Sequence, residues 1–138
     1  ASAWHGCLHL LFSSPSPDLI AYNTLLSSLA RAARWRHCLE LLRQMTKVDI
    51  ISYNSCISAC SGATWPWALQ LLREATFAKL KLSTISFNST ISACDKGHQW
   101  QMALHVFELL STSRCRATEV TYNSLLSACE ERWVMAVV

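Results

Sequence analysis

The sequence predicts an all-α fold built from helical hairpins that repeat along the chain. An aromatic residue followed by asparagine occurs four times, and these asparagines, spaced by 31, 34 and 35 residues, are Asn23, Asn54, Asn88 and Asn123. A tryptophan follows each of them after 10 to 12 residues, at Trp35, Trp65, Trp100 and Trp133. A period of this length is typical of stacked helix-turn-helix units.

The N-terminal residues 1–18 are predicted to hold the second helix of an incomplete unit, which Asp18 closes. The run from Trp4 to Leu11 spaces a tryptophan and leucines as the later second helices do. Serine and proline in residues 13–17 then interrupt the helical pattern. We therefore expect the chain to be a segment of a longer array.

Three complete units are predicted next, over residues 19–49, 50–83 and 84–118. In each first helix the aromatic residue is followed by small or apolar residues four and seven positions later, as in Tyr53, Ile57 and Cys60. This spacing places the three side chains on one face of a helix, which is expected to pack in the core.

The second helix of each unit carries a matching apolar stripe that begins at its tryptophan, as Trp100, Leu104 and Phe107 illustrate. Gly62 and Gly97 mark turns between the two helices. The stripes can pack together within a unit and against the next unit, which predicts a curved, two-layer helical stack. The tryptophans that open the second helices of the three complete units are expected to be largely buried.

Residues 119–138 are predicted to begin a further unit, with Tyr122, Leu126 and Cys129 on its first helix and a second helix opened by Trp133. No run in the sequence approaches the roughly 20 apolar residues that a membrane-spanning helix requires. We therefore predict a single helical-repeat domain over residues 1–138, with no membrane partner.

The composition argues against catalysis and metal binding. The chain has three glycines, too few for a phosphate-binding loop, and none of its five histidines lies in a deaminase-type zinc motif. The seven cysteines do not pair at zinc-site spacing, and Cys60, Cys94 and Cys129 occupy equivalent positions that suit core packing. We predict no catalytic residue, no metal, no cofactor and no small-molecule substrate.

The asparagines need a common cause, because asparagine is unfavourable inside a helix. Each one lies one residue after the aromatic residue that is expected to face the core. The amides could form a ladder of hydrogen bonds between units, or they could be offered to a ligand. The spacing is compatible with either explanation.

The asparagine segments resemble the pentatricopeptide repeat family, whose first helix has the form Val-Thr-Tyr-Asn-x-Leu-Ile. The matching segments are residues 20–26, 51–57, 85–91 and 120–126, the last of which reads Val-Thr-Tyr-Asn-Ser-Leu-Leu. The second-helix form Ala-Leu-x-Leu-Phe is similar to residues 68–72 and 103–107. The resemblance spans essentially the whole chain and implies a right-handed α-solenoid that binds single-stranded RNA, one base per repeat.

The resemblance assigns base recognition to the asparagine and to the last residue of the same unit. These residues are Asn23 with Asp49, Asn54 with Ser83, Asn88 with Thr118, and Asn123, whose unit is incomplete. It implies uracil at the first pair and cytosine or uracil at the next two. Capping of the following helix is a second role open to each last residue, with Ser52, Ser86 and Thr121 as competing caps.

The resemblance also implies residues that hold the bases and the phosphates. The residues expected to hold each base from either side are Ile20, Ile51, Ile85 and Val120, with burial in the core as the alternative. For phosphate contact, Arg31 and Lys96 match the family pattern, whereas Gly62 and Glu131 depart from it. With a net charge of +3, the chain is expected to bind RNA with a shallow salt dependence.

The resemblance implies a role in organellar RNA processing, stability, editing or translation, in mitochondria or plastids, with protein cofactors as further candidate partners. The alternative function is a helical scaffold that binds a protein partner. A protein-binding groove would carry varied side chains, whereas this chain repeats one asparagine at each unit. The repetition favours RNA.

Overall fold

The structure, a computed structural model, describes residues 18–137 together with Gly6 and His9, and no side chain after Glu130. The described part of the chain contains seven α-helices and no strand, so the all-α prediction is confirmed. The helix predicted within residues 1–18 lies outside the described residues.

Six of the helices form three hairpins, and the seventh follows them. The hairpins are α1 (Leu19–Arg31) with α2 (Trp35–Gln44), α3 (Ile50–Ala59) with α4 (Trp65–Phe77), and α5 (Thr84–Lys96) with α6 (Trp100–Thr112). A short 3-10 turn, Gly62–Thr64, precedes α4, and α7 (Glu119–Val137) closes the described chain.

The first helix of each hairpin begins directly after an aspartate or serine. The Asp18 carboxylate accepts a hydrogen bond from the N–H of Ala21 at 2.9 Å, and Asp49 Oδ1 accepts one from the N–H of Ser52 at 3.0 Å. Ser52 Oγ in turn accepts from the N–H of Asp49 at 3.4 Å, which completes a capping box. Helix capping by Asp18 and Asp49 is therefore confirmed.

The hydroxyl residues expected to compete for these caps have a different role. The N–H of Ser83 donates to Ser86 Oγ at 3.1 Å, and the N–H of Thr118 donates to Thr121 Oγ1 at 2.9 Å. Ser52 makes the same bond with Asp49. The expectation of competition is wrong, because the residue three positions after the cap supplies the other half of the same motif.

Tight turns join the two helices of each hairpin. Ala33, Gly62 and His98 adopt left-handed φ angles of 55°, 66° and 59°. Gly97 is needed for a different reason, because a Cβ there would lie 2.5 Å from Cδ1 of Trp65 and 2.8 Å from the carbonyl oxygen of Gly62. The turn of the third hairpin therefore rests directly on the start of α4.

The first helices form one continuous layer, in which α1 packs on α3, α3 on α5 and α5 on α7. Each second helix packs on the first helix of its own hairpin and on the next first helix. Fully buried side chains between the two layers include Leu26, Leu29, Ile57, Leu71, Ile91, Val106 and Leu110. At the surface, an ion pair with a 2.8 Å contact between Arg43 and Glu74 joins α2 to α4.

The tryptophans of the three hairpins are less buried than predicted. Trp35, Trp65 and Trp100 are half-buried, because each is the first residue of its helix and lies at the turn end of the hairpin. Trp67, outside the repeated position, packs on Trp35 with ring centroids 6.2 Å apart. Each repeated tryptophan packs against the core and remains partly exposed.

The C-terminal segment differs from its prediction in two ways. Tyr122 and Leu126 are exposed and Cys129 is half-buried, although the Tyr122 ring packs on Phe107 of α6 with centroids 5.9 Å apart. The helix also runs unbroken through Trp133, where the sequence predicts a new helix. Glutamate and arginine before Trp133 favour helix, and no glycine stands where Gly97 ends α5.

None of the described helices is both long enough and apolar enough to cross a lipid bilayer.

Candidate functional site

The asparagine of the first unit lies beside the last residue of the same unit. Both are on the surface that α1, α3, α5 and α7 share, here called the first-helix face. Asn23 Nδ2 donates to the two carboxylate oxygens of Asp49 at 3.2 and 3.5 Å, and Ser52 Oγ donates to Asn23 Oδ1 at 2.6 Å. Both the nitrogen and the oxygen of the Asn23 amide form hydrogen bonds, although the 31 residues from Asn23 to Asn54 are the shortest spacing between successive asparagines.

The Asp49 carboxylate collects several hydrogen bonds. Burial alone would raise the pKa of Asp49, but the backbone and hydroxyl of Ser52 and the amide of Asn23 donate to the ionised form and outweigh it. The pKa therefore lies below its usual value. At neutral pH the first pair presents a carboxylate that can only accept hydrogen bonds.

The third unit repeats this arrangement with a neutral partner. Asn88 Nδ2 donates to Thr118 Oγ1 at 3.0 Å, and Thr121 Oγ1 donates to Asn88 Oδ1. Thr121 occupies the position after the third unit that Ser52 holds after the first, and both residues are fully buried. The amide of Asn88 is therefore held at both ends, as the amide of Asn23 is.

The second unit is incomplete by comparison. Asn54 Nδ2 donates to Ser83 Oγ at 3.4 Å, a long contact, while Asn54 Oδ1 is buried without a hydrogen-bond partner. The Ser86 hydroxyl lies 3.4 Å from Ser83 Oγ, so the local network is loose. A buried acceptor without a partner is costly, and this one is closed to solvent.

Asn23, Asn54 and Asn88 thus bond to the last residue of their own unit, and Asn23 and Asn88 also bond to a hydroxyl of the next unit, in each case through side chains rather than neighbouring backbone. An amide has two N–H hydrogens and an oxygen with two lone pairs. The contacts described above occupy only part of that capacity. Asn23, Asn54 and Asn88 are half-buried and Asn123 is exposed, so the ladder and a ligand can use the same amides.

Two depressions on the first-helix face combine asparagines with exposed aliphatic side chains. One, of 420 Å³, is lined by Asn54, Ile51 and Ile85. The other, of 380 Å³, is lined by Asn88, Ile85 and Val120. The proposed clamps Ile20, Ile51, Ile85 and Val120 are 75, 57, 63 and 59% exposed, so their burial in the core is excluded.

The basic residues singled out by sequence lie at these depressions. Arg31 lines the first and Lys96 the second, and both are exposed. Asn123 lines a more open depression on α7, where Glu130 contributes a carboxylate. The remaining walls of the first two depressions are mostly small hydroxyl side chains, namely Ser27, Ser55, Ser58, Ser61, Ser89 and Ser92.

Sequence reasoning missed the hydroxyl partners of the asparagines. Ser52, Ser86 and Thr121 each stand two residues before an asparagine, and each contacts the network of the preceding unit. Their recurrence at the repeat period was a usable signal. The first unit has no hydroxyl two residues before its asparagine, because Ala21 stands at this position.

The described cysteines are part of the core or its edge. Cys60 and Cys94 are fully buried, as predicted, and burial raises their pKa to about 12 and about 11. Both thiols are therefore protonated at neutral pH. Among the residues that the structure describes, no group of three histidine, cysteine, aspartate or glutamate side chains is placed to hold a metal ion.

Comparison with solved structures gives close matches in fold. Pentatricopeptide repeat protein PPR10 in complex with an 18-nt psaJ RNA element matches at a TM-score of 0.78 and 28% identity, over 91% of this chain and 20% of that chain. A cysteine-to-serine variant of PPR10 with the same RNA element matches equally. PPR10 from maize matches at 0.79 and 28%, over 97% of this chain and 21% of that one. The chain spans about a fifth of these proteins' length.

Family models match most of the described chain. The model described as pentatricopeptide repeat domain matches residues 70–132, and the one described as PPR repeat matches residues 20–50. The comparison with curated proteins gave no match. The two family models and the shared solenoid agree with the first-helix motifs, and the chain belongs to the pentatricopeptide repeat family.

Proposed function

We propose that this chain binds single-stranded RNA along the first-helix face, one base per repeat. The observation that carries the proposal is the repeated grouping of an asparagine, the last residue of its unit and two exposed aliphatic side chains. Ile85 lines both of the depressions that contain Asn54 and Asn88, so it would contact two successive bases. Such an arrangement suits a strand whose bases are separated from one another.

The chemistry of the groove suits unpaired bases. Apolar side chains can cover the faces of a base, while an amide can pair with donors and acceptors on its edge. A base inside a duplex presents neither its faces nor its pairing edge. We therefore propose that the chain rejects double-stranded RNA.

The asparagine pairs are proposed to read pyrimidines. Asn23 with Asp49 reads uracil, and Asn54 with Ser83 and Asn88 with Thr118 read cytosine or uracil. Asn123 is proposed to begin a fourth reading position. The RNA is expected to run with its 5′ end toward the N-terminus of the chain, as the family resemblance implies.

Two similar structures support RNA as the ligand, because in both PPR10 is in complex with an RNA element. Arg31 and Lys96 at the depressions are the proposed phosphate contacts. Each of the three bases should contribute about 1 to 3 kcal/mol of stacking free energy. Because ordering the RNA strand costs part of this free energy, we expect weak binding by this chain alone. Action on organellar transcripts, in mitochondria or plastids, is part of the same proposal.

A binding titration at fixed salt tests the proposal. A short RNA with a U-C-C core should bind more tightly than the same strand with an A-G-G core and more tightly than a duplex. Asn54→Ala should lose most of this preference while the helix content stays unchanged. Phe77→Ala is the matched control, because Phe77 is 80% exposed on α4, away from the first-helix face.

The alternative is a scaffold that binds a protein through the same surface. The depressions are lined by repeated asparagine and serine rather than by varied side chains, which favours RNA. Equal binding of the purine and pyrimidine strands, together with no effect of Asn54→Ala, would move the protein-binding alternative ahead.

A further inference from the structure

We propose that Ser52 and Thr121 are positioning residues for base selection: each hydroxyl holds the asparagine amide of the preceding unit in one orientation. The inference rests on the proposed function and deepens it. It assigns a role to a residue outside the asparagine pair. It also predicts that the three units discriminate between pyrimidines to different degrees.

The orientation of Asn23 follows from the groups at its two ends. Its Nδ2 faces the Asp49 carboxylate, which can only accept, and its Oδ1 faces the Ser52 hydroxyl. Turning the amide by 180° would set Oδ1 against the carboxylate. The carboxylate therefore favours this orientation, and the Ser52 hydroxyl supports it with one hydrogen shared between Asn23 Oδ1 at 2.6 Å and Asp49 Oδ1 at 2.9 Å.

At Asn88 the amide orientation depends mainly on the Thr121 hydroxyl of the next unit. The partner of Nδ2 is the Thr118 hydroxyl, which can donate or accept and so does not define the orientation by itself. Thr121 Oγ1 accepts from the N–H of Thr118 at 2.9 Å and lies 3.3 Å from Thr118 Oγ1, so its hydrogen goes to the nearer acceptor, Asn88 Oδ1. These hydrogen bonds orient the Asn88 amide with Oδ1 toward Thr121 and Nδ2 toward Thr118.

Asn54 provides the contrast within the same chain. Its Oδ1 has no partner and its Nδ2 contact with Ser83 is 3.4 Å long. The hydroxyl at the equivalent position, Ser86, accepts from the N–H of Ser83 but makes no bond to the Asn54 amide. Neither orientation of this amide is strongly favoured.

Amide orientation decides between the two pyrimidines. Uracil presents an acceptor at O4 beside a donor at N3, whereas cytosine presents a donor at N4 beside an acceptor at N3. The two patterns are reversed along the same edge. An amide that turns by 180° exchanges its own donor and acceptor, so a fixed amide selects one pyrimidine and a free amide accepts both.

The test uses the whole chain and short RNAs in which the three read positions carry every combination of U and C. Fitting the affinities gives the ratio of U to C binding at each position. The unmodified chain should discriminate about tenfold at Asn23 and Asn88 and about twofold or less at Asn54. Equal discrimination at all three positions would overturn the inference, and this measurement needs no variant.

Substitution of Thr121 tests the hydroxyl itself. Thr121→Val keeps the shape of the side chain and removes the hydroxyl, so discrimination at Asn88 should fall to about twofold or less, with the other positions unchanged. Thr121→Ser should restore it. Ser111→Ala, which removes a hydroxyl bonded to the carbonyl of Phe107 in α6, should leave every ratio unchanged.

The outcomes separate this inference from the proposed function. If purine and pyrimidine strands bind alike to the unmodified chain, the proposed function fails. If pyrimidines are preferred but Thr121→Val keeps its discrimination at Asn88, only the inference fails. A loss in Thr121→Val that is uniform across all RNAs would assign the hydroxyl to folding alone and would also overturn the inference.

Discussion

Asn23 and Asp49, 26 residues apart in the chain, meet at 3.2 Å on the first-helix face. Their contact joins α1 to the residue that caps α3, so one hydrogen bond serves the fold and the proposed reading site together. Ser52 contacts both residues. Each partner can therefore be tested for stability as well as for binding.

The first prediction concerns the pH dependence of stability through Asp49. Because its pKa is lower in the folded state, its stabilising effect is complete above the unfolded value of about 4 and is lost as the pH falls through the folded value. Asp49→Asn keeps a good capping residue and removes the charge. It should cost about 1 kcal/mol at pH 7 in urea unfolding, with the difference shrinking below pH 4. A pH-independent difference would contradict the assignment.

The second prediction separates binding from stability at Ile85. This side chain is 63% exposed and lines both depressions. Ile85→Ala should change the free energy of unfolding by less than about 0.5 kcal/mol, while RNA affinity falls about fivefold or more. Phe77→Ala serves again as the control with an exposed apolar side chain outside the groove. Unchanged affinity in Ile85→Ala would exclude contact with the bases.

The third prediction concerns the contact between adjacent hairpins at Gly97. A methyl group there would overlap Trp65 and approach the carbonyl oxygen of Gly62, which belongs to the backbone and cannot rotate away. Gly97→Ala should therefore destabilise the chain by about 1 to 3 kcal/mol. The φ of Gly97 is −88°, ordinary for alanine, so denaturant melts that show no loss would mean that the hairpins separate easily at this turn.

The fourth prediction concerns thiol reactivity. Cys60 and Cys94 are buried with raised pKa values, so iodoacetamide at pH 8 should modify them only after unfolding. Among the cysteines that the structure describes, Cys115 and Cys129 are half-buried and should react first. Mass spectrometry of native and urea-unfolded samples measures the difference. Rapid native modification of Cys94 would contradict its place in the core.

The repeat period predicted the helices and their stacking because core side chains recur with it. Tyr53, Ile57 and Cys60 are buried together, as their spacing requires. The burial of the tryptophans was overestimated, since a pattern locates a residue on a helix face but not at the exposed end of a hairpin. The unbroken α7 was missed because the predicted break rested on Trp133 alone, without a turn residue.

The sequence predicted that the asparagines and the exposed aliphatic residues share one surface, but it did not predict which hydroxyl groups bond to the asparagines. Exposure of Ile51 and Ile85 followed from their position beside the buried stripe. The different hydrogen bonding of Asn54 and Asn88 could not be deduced, because both have a hydroxyl partner in the sequence. Small differences in distance across a unit boundary decide whether both the nitrogen and the oxygen of an asparagine amide form hydrogen bonds.

The hydroxyls of Ser52 and Thr121 have a consequence for how such arrays can be recombined. The proposed recognition element runs from one asparagine, as at Asn23, to the hydroxyl of the next unit, as at Ser52. An exchange that joins two parents at the helix start, just after Asp49, separates the amide from its hydroxyl. A junction placed between Ser52 and Tyr53 would transfer the element intact, so duplication or grafting at that point is expected to preserve the choice of base.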